Sequence, residues 1–342
     1  MEGSIFVFWD WKVAVYLFVA GVSAGAFAIS ALVYFIGEEK YQDITRIGAY
    51  IAPFPLMLGL LLLIYDLERP YLFWKLLATF QAHSIMSLGS WLLMAFSILS
   101  ALYFYLWLPD WFDVVALLQQ ALRRWEKKRI VHLFMTCPFL EKLHRKNLDK
   151  LRGWISLTGI PVALSVCIYT GVLLGVLVAR PFWNNPMLPM LFLVSALKTG
   201  TASICFIGCF IKGLKGMSRA KVETNKFMIH SIDFFLMVLS IIATLLFVLG
   251  LYTSPRSSVG AVGLIMGGEF TFLFWGLAVA VGILLPLSLE VYELIPHFIK
   301  HTEMREHNAW ISGVVTVSVL VGGYFLRYVV VYAGQAAKII NS

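Results

Sequence analysis

Eight stretches of this 342-residue chain stay apolar for about 20 residues or more, near 13–36, 46–65, 85–108, 154–178, 188–211, 229–251, 268–289 and 309–332. About 20 helical residues cross a hydrocarbon core about 30 Å thick. Backbone N–H and C=O groups find no water there, so runs this apolar must close their hydrogen bonds internally, as helices. Strands of a membrane barrel would alternate in polarity over about ten residues, and these runs do not. The expected fold is therefore an all-α integral membrane protein with eight transmembrane helices. The run from Val13 to Ile36 is long enough to span and has no small-residue cleavage site after it, so it reads as a retained helix. Only 13% of the residues are charged, against about 25% in ordinary soluble domains.

The charges give the orientation. The net charge of +8 suggests a nucleic-acid partner only until the charges are located, because they cluster between apolar runs. Of 27 Lys and Arg, 19 fall in the first, third, fifth and seventh loops, ten of them in 109–153 and five in 212–226. The positive-inside rule makes these loops cytoplasmic, so both termini and the "YDLERP" loop at 65–70 face outward. Trp9, Trp11, Trp74 and Trp183 then fit an outer interfacial belt. The protein reads as one membrane domain over 1–342, multi-pass in the cytoplasmic (inner) membrane. Helices 1–4 occupy about 13–178 and helices 5–8 about 188–332, as two four-helix bundles. An amphipathic insert at 109–153 lies on the cytoplasmic surface through "WFDVVALLQQALRRW". In helix one Ala20, Ala24 and Ala28, with Gly21 and Gly25, recur every four residues, the small-residue pattern that lets helices approach closely.

Cys205 and Cys209 are one helical turn apart, but no His or second Cys pair completes a tetrahedral set, so they read as small hydrophobes; no metal is expected. No iron–sulfur spacing is present. Of seven histidines, five lie in cytoplasmic loops, and His83 and His230 lie near opposite faces, so no haem is expected either.

Ionisable groups inside a span are costly and usually pair or work. Lys198 sits about 15 Å into helix five by helical rise, too deep for easy snorkelling, and either Asp66 or Glu269 is its expected partner. Arg327 in helix eight keeps its proton and needs an acceptor. His230, Asp233 and Glu290 lie near the inner ends of their helices and read equally well as interfacial groups. Asp66 with Arg69 reads equally well as an ion pair that ends helix two.

Six segments carry a resemblance. "YLFVAGVSAGAF", "DLERPYLFW", "HSIMSLGSWLL", "YTGVLLG", "LFLVSALKTG" and "LRYVVVYAGQ" occur in an order that resembles the NrfD/PsrC family, the membrane subunits of polysulfide-reductase-type complexes. The 109–153 loop matches none of its motifs. The resemblance implies a quinone-reactive subunit of an oxidoreductase complex, without a redox cofactor of its own, of the kind used in anaerobic respiration. It implies menaquinone or ubiquinone as substrate, an iron–sulfur partner of the four-cluster ferredoxin type docked on the outer face, and a molybdopterin or other catalytic subunit. Under that reading the quinone site takes Asp66, Arg69, His83, Ser84, Ser87, Tyr169 and Lys198. His83 or Tyr169 touches a quinone oxygen, and Asp66, oriented by Arg69, accepts the proton. A second expectation is a proton relay through Asp233, Glu269, Glu290 and Arg327. Two other classes are weighed against this: a secondary transporter, for which Pro53, Pro55, Pro161 and Pro286 supply broken spans without matching halves, and a pure membrane anchor, which needs no buried Lys198 or Arg327.

Overall fold

A computed structural model describes residues 9–37, 41–67, 70–108, 148–177, 179–210, 219–253, 260–300 and 309–337. Arg69 and most of the expected 109–153 insert lie outside them. The described residues contain no strand. Among the described residues, eight helices are long and apolar enough to cross a membrane, at 11–36, 42–66, 85–106, 150–175, 188–208, 228–253, 272–292 and 311–336.

The elements are α1 (Trp11–Ile36), α2 (Gln42–Ile51), α3 (Pro53–Asp66), a short α4 (Trp74–Ala78), α5 (Ile85–Leu106), α6 (Leu148–Gly175), α7 (Leu188–Phe210), α8 (Arg219–Thr253), a π-helical segment (Phe272–Leu284) that runs into α9 (Leu285–Lys300), and α10 (Ala309–Ala336). The second span divides at Ala52 because Pro53 offers no amide hydrogen to the preceding turn; the Ser23 hydroxyl of α1 donates to the Ala52 carbonyl at the break. With 35 residues, α8 is about 52 Å long, so it runs well past a core about 30 Å thick.

α1 packs against α2, α3, α6, α7 and α10, and α7 packs against α1, α6, α8 and α10. The small residues of α1 make this possible. Ala20, Ala24 and Ala28 are fully buried, and a Cβ at Gly25 would run into the Ala196 carbonyl of α7. Gly282 of the π segment and Gly322 of α10 meet in the same way. Without a hydrophobic drive between helices in lipid, such backbone approach is what supplies packing energy.

One end of the bundle gathers both described termini. The Gln335 side chain accepts from the Trp9 amide and donates to its carbonyl, both at 2.9 Å, and Arg180 donates to the Gln335 carbonyl at 2.7 Å. Trp183 departs from the expected interfacial belt. It is buried, stacks on Trp9 at 5.1 Å, and gives its indole N–H to the Val330 carbonyl, so it is a core residue. Trp11 and Trp74 are exposed, as a belt requires.

Candidate functional site

At the same end as Trp9, α1 and α3 bring two charges together. Lys12 Nζ donates to Asp66 Oδ1 at 3.1 Å and lies 5.3 Å from the Tyr65 ring centre. The partner of Asp66 is therefore Lys12, from 54 residues away, and not Lys198. One turn further along α1, on the face of Lys12, stands Tyr16. It is 2% exposed, and its hydroxyl has no hydrogen-bond partner among the described residues. It lies under α3, where a Cβ at Gly59 would press on its ring. Tyr169 of α6 lies within electrostatic range of Tyr16 and fits against the bare backbone of Gly89 in α5; its hydroxyl makes no hydrogen bond among the described residues either. The result is a corner with two phenolic donors, no acceptor for either, and near them on α1 the ammonium that holds Asp66. A buried hydroxyl without an acceptor is costly and calls for an explanation.

The other residues expected at this site are placed differently. His83 is exposed in the loop before α5 and makes no hydrogen bond or ion pair among the described residues. Ser84 caps α5 by accepting from the Ser87 amide. The Ser87 hydroxyl donates to the Thr79 carbonyl at 3.2 Å and accepts from the Gln81 amide at 3.0 Å. Both serines shape the turn that leads into α5.

Lys198 belongs to a second, fully buried cluster. Its Nζ donates to the Gly282 carbonyl at 3.0 Å and lies 3.4 Å from Ser240 Oγ, and Asp233 is its acidic neighbour. Neither expected partner is used: Glu269 is exposed in the loop before the π segment. The position of Gly282 has a cause in the sequence. In a regular helix its carbonyl would accept from residue 286, which is proline. The π register also ends there, its last bond running from Leu285 N to Ala280 O, because Pro286 cannot give the next one. Asp233 interacts with Glu290, and His230 Nδ1 lies 3.5 Å from Glu290 Oε1. All four groups are at most 6% exposed, so the interfacial reading of His230, Asp233 and Glu290 does not hold.

Arg327, at the meeting of α1, α7 and α10, lies within electrostatic range of Lys198 but bonds to none of that cluster. It donates to the carbonyls of Leu17 (3.0 Å) and Gly323 (3.2 Å) and to Ser195 Oγ (2.8 Å), and faces the Phe192 ring at 5.2 Å. Its acceptors are neutral, and its Nη2 lies against Gly21, where no larger residue would fit. Of the four expected relay residues, only Asp233 and Glu290 are neighbours.

Tyr16 and Lys12 are not among the residues that sequence spacing singled out. A signal existed: Lys12 and Tyr16 are spaced for one helix face, and the segment "YLFVAGVSAGAF" begins at Tyr16.

The family described as "Polysulphide reductase, NrfD" matches residues 2–339. A polysulfide reductase polypeptide of Wolinella succinogenes is 35% identical, over 96% of this protein and 95% of its own length. Protein NrfD of Escherichia coli is 30% identical over 96% and 95%. A selenate reductase subunit of Mesobacillus selenatarsenatis is 27% identical over 96% of this protein and 74% of its own length.

Proposed function

The protein belongs to the polysulphide reductase NrfD family, and from that premise we propose that it exchanges electrons and protons between membrane quinone and an iron–sulfur partner subunit. The partner is of the four-cluster ferredoxin type and passes electrons to or from a molybdopterin or other catalytic subunit. The complex sits in the inner membrane with the quinone site near the outer face, and this membrane subunit adds no redox centre. The helices group as two four-helix bundles.

The observation that carries this reading is the pair of unpartnered hydroxyls, Tyr16 and Tyr169, beside the Asp66–Lys12 pair. A quinone offers two carbonyl oxygens and no donors, which complements two phenols that have no acceptor. Reduction to quinol takes two electrons, from the partner's clusters, and two protons. The tyrosines hydrogen-bond the carbonyl oxygens and favour the charge that develops on them. Asp66, partly exposed and fixed by Lys12, exchanges protons with the outer surface. Between the two expected contacts, Tyr169 is favoured over His83 because it stands beside the second donor. Turnover of a soluble quinol analogue by the assembled complex tests this. Tyr16→Phe, Tyr169→Phe and Asp66→Asn are each expected to lower it about 100-fold while the partner subunits stay bound. Unchanged turnover in both Phe variants would sink the site.

A second reading, proton translocation, is favoured by the buried Lys198–Asp233–Glu290–His230 cluster. The relay then runs through Asp233 and Glu290 with His230, Glu269 serving at the surface and Arg327 as fixed charge. In proteoliposomes, Asp233→Asn should abolish redox-driven proton uptake and spare electron transfer. Uptake at the normal ratio of protons to electrons would remove the relay.

A further inference from the structure

At the end of the bundle remote from Asp66, where α2 begins, α5 ends and α6 begins, two arginines and a tyrosine converge. The Tyr50 hydroxyl of α2 donates to the Trp107 carbonyl at 2.7 Å. On α6, Arg152 donates through Nε (3.1 Å) and Nη2 (2.7 Å) to the neighbouring Leu106 carbonyl, and its guanidinium carbon stands 4.5 Å from the Trp107 ring centre. These groups satisfy the carbonyls at the C-terminal end of α5, where positive charge is favourable.

Arg46 has no such task. It lies one turn before Tyr50 on the same face of α2, and both arginines are within electrostatic range of the Tyr50 hydroxyl. Arg46 is half-buried, yet makes no hydrogen bond and no ion pair among the described residues, and its Nε is fully enclosed without an acceptor. Asp43, one turn earlier on α2, does not pair with it. A guanidinium cannot shed its proton, so a half-buried one whose enclosed Nε has no acceptor is a ready donor for an anion.

Below these groups, toward the middle of the membrane, the α3–α5 surface is apolar and open. Phe104 packs edge-on to Tyr50 (5.7 Å) and to Phe54 (5.5 Å), and Phe54 is 58% exposed. Met57 and Leu61 continue the same exposed strip along α3. Positive groups at the membrane edge above a strip of exposed aromatic and aliphatic side chains match the two parts of one molecule, a phosphate headgroup and its acyl chains. By the distribution of Lys and Arg this is the cytoplasmic edge, where anionic lipid gathers.

We propose that Arg46, Arg152 and Tyr50 form a binding site for an anionic glycerophospholipid, the phosphate bonded by Arg46 in the positive field of Arg152 and the acyl chains lying along Phe54 and Phe104. This site is independent of the quinone reading and would stand if that reading failed. A bound lipid here ties α2, α5 and α6 together at the edge.

Native mass spectrometry of the detergent-purified complex tests it, with phosphatidylglycerol and phosphatidylcholine added in equal amounts. The complex should retain phosphatidylglycerol preferentially. Arg46→Gln should lower that retention about five-fold, the effect of one basic residue at an anionic membrane surface, and Arg46→Lys should keep most of it. Arg46 makes no bond that the fold needs, so the Gln variant assembles. Equal retention by wild type and Arg46→Gln overturns the proposal. Displacement of the lipid by millimolar inorganic phosphate overturns the lipid assignment in favour of a free-phosphate site. Loss of a partner subunit from Arg46→Gln, with lipid retention unchanged, overturns it in favour of a protein interface.

Discussion

At the scale of single residues, what matters is which polar groups have partners. Arg327 has three neutral acceptors on Nε and Nη1, none of them an acid, while its Nη2 has none. Tyr16 has none, which is why it and not the exposed His83 marks the candidate quinone corner. Sequence spacing identifies ionisable groups in apolar runs, and Lys198, Asp233, Glu290 and Arg327 are all visible that way. It does not identify a missing acceptor, because that depends on how neighbouring helices are rotated about their axes. Lys198 gives a direct test of pairing. Lys198→Met removes the ammonium within electrostatic range of Asp233 and leaves the buried Gly282 carbonyl without that donor, and an unsatisfied buried polar group costs about 1–3 kcal/mol. The expected result is a marked fall in the unfolding temperature of the detergent-solubilised protein. Adding Asp233→Asn to Lys198→Met should recover most of the loss. If the double variant is no more stable than the single, Lys198 and Asp233 are not energetically paired.

At the scale of elements, local chemistry explains the breaks and close contacts. Pro53 and Pro286 each deny a bond to the turn before them; Lys198 takes the Gly282 carbonyl that Pro286 frees, and Ser23 of α1 donates to the Ala52 carbonyl at the Pro53 break. The two prolines were visible in the sequence, and so were the small residues of α1 that receive α7. The 13-residue π register over Phe272–Leu284 was not, since nothing in "FLFWGLAVAVGIL" distinguishes it from an ordinary span. Long π segments are rare and tend to occur where function requires them. The proline and the lysine should therefore act as one unit. Pro286→Ala supplies an amide that competes with Lys198 for the Gly282 carbonyl. A double-mutant cycle of Pro286→Ala with Lys198→Met is expected to show a coupling of about 1 kcal/mol in unfolding free energy. Simple additivity would mean that the freed carbonyl does not hold the lysine.

At the scale of the whole molecule, the eight spans were legible because their lengths follow from bilayer thickness alone, and the observed helices overlap every expected run. Which end faces which compartment rests on charge. The packing supplies a constraint that charge counting does not: Trp9, Gln335 and Arg180 are bonded to one another, and Asp66 is bonded to Lys12 three residues beyond Trp9. These groups share one end, so one experimental fact about any of them orients all the others. Gln81, exposed in the loop that leads to α5, is a suitable reporter for that end, and Lys150, exposed at the start of α6, for the other. In a background with the native cysteines replaced by serine, Gln81→Cys should react with a membrane-impermeant maleimide in intact cells. Lys150→Cys should react only after permeabilisation. The reverse pattern would turn the whole bundle over at once. The Asp66 corner, and with it the proposed quinone site and proposed iron–sulfur partner, would then be on the cytoplasmic side. Because the ends are tied together by specific bonds, labelling of both positions from one side is the pattern this packing forbids.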